Sequence, residues 1–115
     1  MKDRDLSHGG ALLVDCLAAQ GVARVFGMPG ESDLAALDGL YGSGIDVVVA
    51  RQEGGAAMMA EAAGKLTGRP GVAFVTRGPG ATNASAGVHI AQQDSTPMVL
   101  FVGQVASDQR DREAF

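Results

Sequence analysis

The segment IDVVVARQEGGAAMMAEAAGKLTGRPGVAFVT, residues 45–76, decides the fold class of this protein. Two short apolar runs, 45–50 and 71–76, flank a stretch of helical composition at 54–66. An apolar strand, a helix and a second apolar strand are typical of a parallel β-α-β unit, because its strands are buried on both faces. The segment therefore predicts one such unit at the centre of the chain.

The rest of the chain repeats this alternation of helices and buried strands. Helices are predicted at 7–20, 33–41, 54–66 and 84–93, and strands at 22–27, 45–50, 71–76 and 97–103. Ser7 is the predicted N-cap of the first helix, and Thr82 or Asn83 that of the fourth. The alternation predicts an α/β fold with a parallel sheet and helices on both faces. Right-handed crossovers then bring the carboxyl ends of the strands to one edge, where α/β proteins bind ligands.

Charge and cysteine content exclude several function classes. A net charge of −4 argues against a nucleic-acid partner, which requires clustered Lys and Arg. The single cysteine, Cys16, lies in an apolar helical pattern and is interpreted as a small core residue. The polar N-terminus differs from a secretory signal, and no apolar run approaches the roughly 20 residues of a membrane span. We expect a cytoplasmic protein with no membrane partner.

Gly-rich or polar segments follow every predicted strand. They are GMPG at 27–30, RQE at 51–53, TRGPGATN at 76–83 and GQ at 103–104. TRGPGATN lacks the Gly-Lys-Ser/Thr ending of a P-loop, and it matches a dinucleotide fingerprint only as far as GPG. Two interpretations of this segment stay open: a backbone cradle for an acceptor or anion at a helix N-terminus, and a tight strand-to-helix turn.

Glu53 is the most informative residue in these segments. A carboxylate in the first turn of a helix complements the helix dipole by about 0.3–1 kcal/mol, which accounts for its position but not for its surroundings. The helix that follows is apolar nearly all round, and such a helix is buried on nearly all sides. We therefore predict that a second subunit covers this helix and that Glu53 is kept away from water beside a partner. Glu61 and Lys65 are predicted to form the solvated stripe of the same helix.

Taken in order, the motifs Gly-x-Pro-Gly, Arg-x-Glu, Thr-x-Gly-Pro-Gly-Ala-Thr-Asn and Asp-Ser-x-Pro resemble the N-terminal pyrimidine-binding domain of thiamine-diphosphate enzymes. They lie at 27–30, 51–53, 76–83 and 94–97, and the resemblance covers roughly residues 6–115. Among these enzymes, the chain is similar to the acetolactate synthase-like carboligases and decarboxylases, which are transferases and lyases. The resemblance implies a flavodoxin-like thiamine-diphosphate-binding domain and a 2-oxo acid substrate.

The resemblance also implies a chemical role for Glu53. In the family, the matching glutamate hydrogen-bonds N1′ of the cofactor's aminopyrimidine and favours its 4′-imino tautomer. The imino nitrogen then takes the proton from C2 of the thiazolium ring, which makes C2 the nucleophile and later the electron sink. Glu53 is therefore the expected catalytic residue, and the cofactor removes the cost of burying an unpartnered carboxylate.

Further site residues follow from the same resemblance. The expected cofactor-binding residues are Pro29, Gly30, Glu53, Thr76 and Asn83, and the expected substrate-binding residues are Gln104 and Phe115. The chain departs from its relatives at two positions, with Gln52 where they usually have His and Arg77 where they usually have Ser. These departures bear on the identity of the substrate more than on the use of the cofactor.

The resemblance implies that residues 1–115 are an incomplete, truncated N-terminal domain, without the family's central and C-terminal diphosphate-binding domains. In the family, a Gly-Asp-Gly…Asn motif of the C-terminal domain holds Mg²⁺ and the diphosphate, and no such motif occurs here. His8 and His89 also lack a second ligand at metal spacing, so no metal site is predicted in this chain. FAD is a candidate second cofactor, a homodimer or homotetramer is expected, and the fragment alone is expected to be inactive.

Other function classes stay open from the residues alone. A sheet with a small-residue helix would suit a non-catalytic dimerisation module, or a nucleotide-binding module at the GPGATN turn. Glu53 argues against both, since packing alone favours an apolar residue there. A stand-alone Rossmann-type dehydrogenase would need a third glycine where Asn83 stands and an acidic residue at the end of the second strand.

Overall fold

A computed structural model describes residues 8–114 of the chain. Helices and strands alternate in the predicted order: α1 Gly9–Ala19, β1 Arg24–Gly27, α2 Leu34–Leu40, β2 Asp46–Val49, α3 Glu53–Thr67, β3 Gly71–Val75, α4 Pro79–Gln93 and β4 Met98–Val102. Single turns of 3₁₀ helix occupy Glu31–Asp33 and Ser107–Gln109. Within residues 8–114, no helix is long and apolar enough to cross a membrane.

The four strands of the described chain form one parallel sheet in the order β2-β1-β3-β4. This confirms the predicted α/β class, and the strand order is that of flavodoxin-like folds. The central strand β1 pairs with both β2 and β3, since Phe26 lies opposite Val48 on one side and Ala73 on the other. Because the strands are parallel, their carboxyl ends lie along one edge of the sheet.

Two apolar clusters cover the two faces of the sheet. On one face, Val14 of α1 packs with Phe74 of β3. On the other face, Ala57 of α3 and Ala84 of α4 pack with Val75 of β3. Phe74 and Val75 are neighbours that point to opposite faces, as successive residues of a strand do. Helices therefore cover both faces, as the sequence predicted, with α1 and α2 on one side and α3 and α4 on the other.

Glycines let α3 approach its neighbours closely. A Cβ on Gly64 would overlap the carbonyl oxygen of Pro97, which precedes β4. A Cβ on Gly87 of α4 would lie 2.5 Å from the Cβ of Ala57 in α3. The many small residues of α3 and α4 therefore serve contacts between backbones, which larger side chains would separate.

The fourth helix begins earlier than the sequence predicted. α4 starts at Pro79 rather than at residue 84, with Gly78 at the N-cap and at a φ of 59°. A proline at the first helical position loses no hydrogen bond there, and its fixed φ already suits the helix. The Gly-Pro pair therefore starts the helix, so that Thr82 and Asn83 lie inside it and neither is the N-cap.

Three further local predictions are wrong. α1 begins with His8 at its N-cap, where Nδ1 accepts a hydrogen bond of 3.2 Å from the amide of Ala11, whereas the predicted cap Ser7 lies outside the described residues. Cys16 is exposed, because its side of α1 faces away from the core cluster. β2 is an edge strand, and its Val49 is 60% exposed rather than buried.

Glu61 and Lys65 do not form the predicted solvated stripe. Glu61 is 7% exposed, and its Oε1 accepts hydrogen bonds from Thr96 Oγ1 at 3.0 Å and from Lys65 Nζ at 2.9 Å. Lys65 Nζ also donates to Asp94 Oδ2 at 2.5 Å, and this contact and the contact with Glu61 raise the pKa of Lys65 to about 12. Helical spacing predicted the pair correctly, but only the fold brings the turn at 94–96 over it and buries the carboxylate.

Two glycine substitutions within α3 should have opposite effects on stability. Gly64→Ala should lower the free energy of unfolding by about 1–3 kcal/mol, because its Cβ overlaps the backbone at Pro97. Gly55→Ala should raise it by about 0.5–1 kcal/mol, because no atom lies within 4 Å of the added Cβ and alanine favours the helix. Denaturant unfolding of both variants measures this, and equal changes in the two would contradict the close packing described.

Candidate functional site

β1 and β3 are neighbours in the sheet, and the connections that follow their carboxyl ends run to opposite faces of the sheet. β1 leads into α2 on one face, whereas β3 leads into α4 on the other. Such a switch point opens a crevice between the two connections, and it is where open α/β sheets bind ligands. The segments 27–30 and 76–79, which the sequence predicted as site segments, both lie at this point.

Hydrogen bonds hold the two connections against each other. Ser32 Oγ shares a hydrogen bond of 2.7 Å with Thr76 Oγ1 and accepts one of 3.2 Å from the amide of Arg77. Gly30 lies against the same threonine, since a Cβ on Gly30 would overlap Thr76 Cβ. The structure thus brings Gly30 and Thr76 together and adds Ser32, which the sequence did not single out.

Glu53 is the first residue of α3 and lies half-buried beside the start of α4. Its Oε2 accepts a hydrogen bond of 2.9 Å from Asn83 Nδ2. Its Oε1 lies 3.6 Å from the place where a Cβ on Gly80 would be, and no described residue donates a hydrogen bond to it. The N-terminal ends of α3 and α4 both lie at this carboxylate, so the two helix dipoles favour its negative charge.

Gln52, one of the two departures from the related sequences, is the N-cap of α3. Its Oε1 accepts a hydrogen bond of 3.1 Å from the amide of Gly55. This bond satisfies one of the amides that an α-helix leaves unpaired at its start, and it holds the first turn in which Glu53 lies.

An open cleft of about 1040 Å³ lies in front of Glu53. Small-molecule sites usually occupy about 300–1,000 Å³, so the cleft has room for a ligand of cofactor size. Thr76 and Gln104, two further residues that the sequence assigned to the site, line the same cleft. The rest of its wall comes from Glu31, from Arg77, from the start of α4 and from the segment 105–114.

Three of the predicted site residues in the described part of the chain, Pro29, Gly30 and Asn83, do not line this cleft, although Gly30 lies against Thr76 and Asn83 bonds Glu53. Pro29 is exposed at the end of β1 and lines a separate, narrow groove with Asp33 on the α2 side of the sheet. Phe115 lies outside the described residues, and its substrate-binding role stays a prediction.

Arg77 is a charged residue of the site that the sequence identified only as a departure from its relatives. Its side chain is 17% exposed in the wall of the cleft, and Nη2 lies 3.8 Å from Glu31 Oε2. Glu31 is 81% exposed, so this ion pair is weak. The guanidinium group and the Glu53 carboxylate therefore place opposite charges in the wall of one cleft.

Asp33 is a buried acid that sequence reasoning missed. It is 5% exposed, its Oδ1 accepts a long hydrogen bond of 3.5 Å from Ser32 Oγ, and Oδ2 has no partner among the described residues. Burial raises the pKa of Asp33, and the hydrogen bonds from Ser32 and from the backbone of Gly30, together with the charge of Arg77, offset only part of that rise. In the sequence, the buried position of Asp33 is indicated only by an acidic residue directly before an apolar helix. An exposed N-cap residue has the same sequence pattern, so this pattern does not predict burial.

The segment GPGATN at 78–83 is the start of α4 and not a loop. The tight turn from β3 into α4 consists of Arg77 and Gly78. The predicted cradle for an acceptor or anion at the start of α4 stays a prediction. Within residues 8–114, no group of three or more His, Cys, Asp or Glu could hold a metal ion. His8 contacts Asp38 at 3.1 Å, and His89 is exposed on α4.

Comparisons with known proteins agree on one family. The family model described as "Thiamine pyrophosphate enzyme, N-terminal TPP binding domain" matches residues 7–115. The acetolactate synthase of Bacillus subtilis is 48% identical over 99 residues, which are 86% of this chain and 17% of that protein. The acetolactate synthase isozyme 3 large subunit of Escherichia coli is 43% identical over 112 residues, 96% of this chain and 20% of that protein.

A eukaryotic relative matches equally well. The mitochondrial acetolactate synthase catalytic subunit of Aspergillus candidus is 43% identical over 108 residues, 93% of this chain and 16% of that protein. The chain therefore spans a fifth or less of the length of these curated relatives.

The burial of Asp33 predicts a specific dependence of stability on pH. Because the folded state favours the neutral acid, Asp33 contributes stability below its ordinary pKa of 3.8, and this contribution is lost as pH rises through the raised pKa of the folded state. Asp33→Asn stays neutral at every pH. Its free energy of unfolding, relative to that of the wild-type protein, should therefore increase as pH rises from about 4 to 8.

Urea unfolding at several pH values measures this difference. Asp108→Asn, at an exposed position of the 3₁₀ turn Ser107–Gln109, is the matched control and should show no such increase. A difference for Asp33→Asn that stays constant with pH would contradict the raised pKa that burial gives Asp33.

Proposed function

Because this chain belongs to the thiamine pyrophosphate enzymes, as their N-terminal TPP binding domain, we propose that it is the cofactor-activating part of a carboligase or decarboxylase acting on 2-oxo acids. One observation carries the proposal. The carboxylate of Glu53 lies at the switch point of the sheet, held by Asn83 and directed into a cleft of about 1040 Å³.

The residues at the switch point fit the aminopyrimidine of thiamine diphosphate. Glycines at 30 and 80 let the loop after β1 and the start of α4 pack directly against Thr76, because a Cβ at either position would overlap its side chain. The Oε1 atom of Glu53 keeps a lone pair for a ring nitrogen, since its partner Asn83 bonds the other oxygen. When bound, the cofactor supplies a nucleophilic carbon and an electron sink for making and breaking bonds next to a carbonyl group.

The proposal assigns a separate role to the catalytic residue and to each pair of cofactor-binding residues. Glu53 exchanges a proton at Oε1 and is the catalytic residue. Pro29 and Gly30 contact the pyrimidine ring, and Thr76 and Asn83 form the floor of its pocket. The hydrogen bond between Thr76 and Ser32 supports this arrangement, because it keeps the loop after β1 closed on the turn after β3.

Substrate contacts are proposed at the open side of the cleft. Gln104 lines the cleft after β4, which supports its proposed contact with the 2-oxo acid. Phe115 follows the segment that closes the cleft, and we propose that it contacts the same substrate. The guanidinium of Arg77 adds a positive charge to this wall, which suits an anionic substrate.

The remaining parts of the enzyme are proposed to lie outside residues 1–115. A separate domain would hold Mg²⁺ and the diphosphate, and FAD is a candidate second cofactor there. The share of its relatives that this chain covers, a fifth or less, supports this division. The cytoplasmic location stays a prediction.

We further propose a homodimer or homotetramer in which a second subunit covers α3. Met58 and Met59 on this helix are each 42% exposed, and Leu66 is 87% exposed. Apolar side chains at such exposure on a helix this rich in alanine and glycine support a covered surface.

Glu53→Gln in the complete enzyme should slow the exchange of the cofactor's C2 hydrogen for deuterium by a factor of about 100 or more. Glutamine keeps the size of the side chain but cannot exchange a proton with the ring. Asp38→Asn is the control, because it removes a carboxylate from an exposed position outside the cleft. Near-normal exchange in Glu53→Gln, measured by NMR of the quenched cofactor, would refute the proposed function.

The proposed subunit contact can be tested separately. Met58→Lys combined with Met59→Lys should weaken self-association of the complete enzyme, because two charges would enter an apolar contact. Tyr41→Lys changes a still more exposed residue at the end of α2, on the opposite face, and should leave self-association unchanged. Sedimentation velocity over a range of concentrations distinguishes these outcomes, and an unchanged assembly of the double variant would contradict the contact.

A further inference from the structure

We propose that Asn83 is a positioning residue that selects Oε1 of Glu53 as the oxygen that exchanges a proton. The proposal rests on the function proposed above and deepens it, because it assigns Asn83 a role through Glu53 and not only as part of the pocket floor. Asn83 Nδ2 donates a hydrogen bond of 2.9 Å to Glu53 Oε2. Among the described residues, no other side chain donates a hydrogen bond to this carboxylate.

The chemistry of the bond determines which oxygen is available. A donor N–H binds a carboxylate oxygen through its lone pair, so the oxygen that it holds keeps its negative charge. When Glu53 takes up a proton, the proton therefore enters at Oε1. That atom lies beside Gly80, on the side of the cleft, where the missing side chain of glycine leaves access to a ligand.

Asn83 is not needed to start the helix in which it lies. Gly78 is the N-cap of α4, and Asn83 is the fifth residue of that helix, beyond the first turn whose amides a cap would bind. Asparagine is also a poorer helix former than alanine, because its amide competes for backbone hydrogen bonds. The hydrogen bond to Glu53 therefore explains why an asparagine occupies position 83, whereas helix formation does not.

The backbones on the two sides of the bond are held at a fixed separation. A Cβ on Gly54, the residue after Glu53, would lie 3.1 Å from the carbonyl oxygen of Asn83. One turn along each helix, Gly87 and Ala57 pack still more closely, since a Cβ on Gly87 would lie 2.5 Å from the Cβ of Ala57. The amide thus reaches Glu53 from a rigid support, which is the condition for orienting a reactive group.

Other charged groups face the same cleft and bear on any dependence on pH. They are Glu31 from the loop after β1, Arg77 from the turn after β3, and Arg110, Asp111 and Glu113 from the segment after β4. None of these side chains forms an ion pair or hydrogen bond with Glu53 in the described structure. Substitutions at Asn83 leave all of them in place, so a change in pH profile can be assigned to the amide.

The test compares Asn83→Ala with Asn83→Asp in the complete enzyme. Asn83→Ala removes the donor, and kcat should fall by about 10- to 100-fold at every pH, with KM changed much less. Asn83→Asp places a second carboxylate beside Glu53. Near neutral pH it should lose at least as much activity as Asn83→Ala, because two adjacent negative charges repel.

The two variants should differ as pH falls. When the carboxyl group introduced by Asn83→Asp is protonated, its O–H can donate to Glu53 Oε2, so the kcat of this variant should recover partly in acid. Asn83→Ala has no donor to recover. The acidic limb of the Asn83→Asp profile should therefore lie about one pH unit from that of the wild-type enzyme.

Infrared spectroscopy of the cofactor-free enzyme tests the contact between Asn83 and Glu53 separately from the reaction of the cofactor-bound enzyme. In the cofactor-free enzyme, the infrared carboxylate band that disappears in Glu53→Gln should shift in Asn83→Ala, because one of its two oxygens loses a hydrogen bond. Ser85→Asp is the matched control, since it adds the same charge two residues along α4 at an exposed position. It should leave the infrared band and the pH profile unchanged.

The outcomes distinguish failure of this inference from failure of the proposed function. An unshifted infrared band in Asn83→Ala, or equal losses in both Asn83 variants at all pH values, would overturn the positioning role. If Glu53→Gln abolishes C2 exchange in the same experiments, the proposed function stands even though Asn83 has no positioning role. A shifted band together with normal C2 exchange in Glu53→Gln would leave the contact intact and overturn the proton-exchange role assigned to Oε1.

Discussion

The close approach of α3 and α4 is the constraint on which the candidate site depends. Glycines at 54 and 87 let the two backbones meet, with the carbonyl of Asn83 only 3.1 Å from the place of a Cβ on Gly54. Asparagine is a short side chain, and its amide reaches the carboxylate of Glu53 only because the helices are this close. A larger residue at either glycine would separate the helices and leave the carboxylate without its donor.

Two acidic side chains at the switch point have contrasting surroundings. Glu53 lies at the N-terminal ends of two helices and accepts a hydrogen bond from the side-chain amide of Asn83. Asp33 lies on the other side of the loop after β1, where burial raises its pKa and favours its neutral form. Of these two acids, Glu53 is the one that lines the cleft.

The sequence predicted the alternation of elements well and the burial of single residues less well. Glu61 and Lys65 show why, because their spacing on α3 is apparent from the sequence but the turn at 94–96 that buries Glu61 is contributed by a distant segment. Val49 shows the reverse, since an apolar run predicts a buried strand whether the strand is central or at an edge. The start of α4 was misplaced because Gly78 and Pro79 can end one element or begin another, and their backbone angles decide which.

By itself, the sequence determined the parallel α/β class and the family, through the order of four motifs along the chain, and it predicted that the candidate site segments follow the carboxyl ends of the strands. Apolar periodicity and motif order are properties of neighbouring residues, so they can be read without a structure. Only the tertiary structure decided that Ser32 meets Thr76, that Asn83 holds Glu53 and that Asp33 is buried. Each of these features depends on crossovers that bring together segments distant from one another in the sequence. Local sequence patterns do not predict which distant segments come into contact.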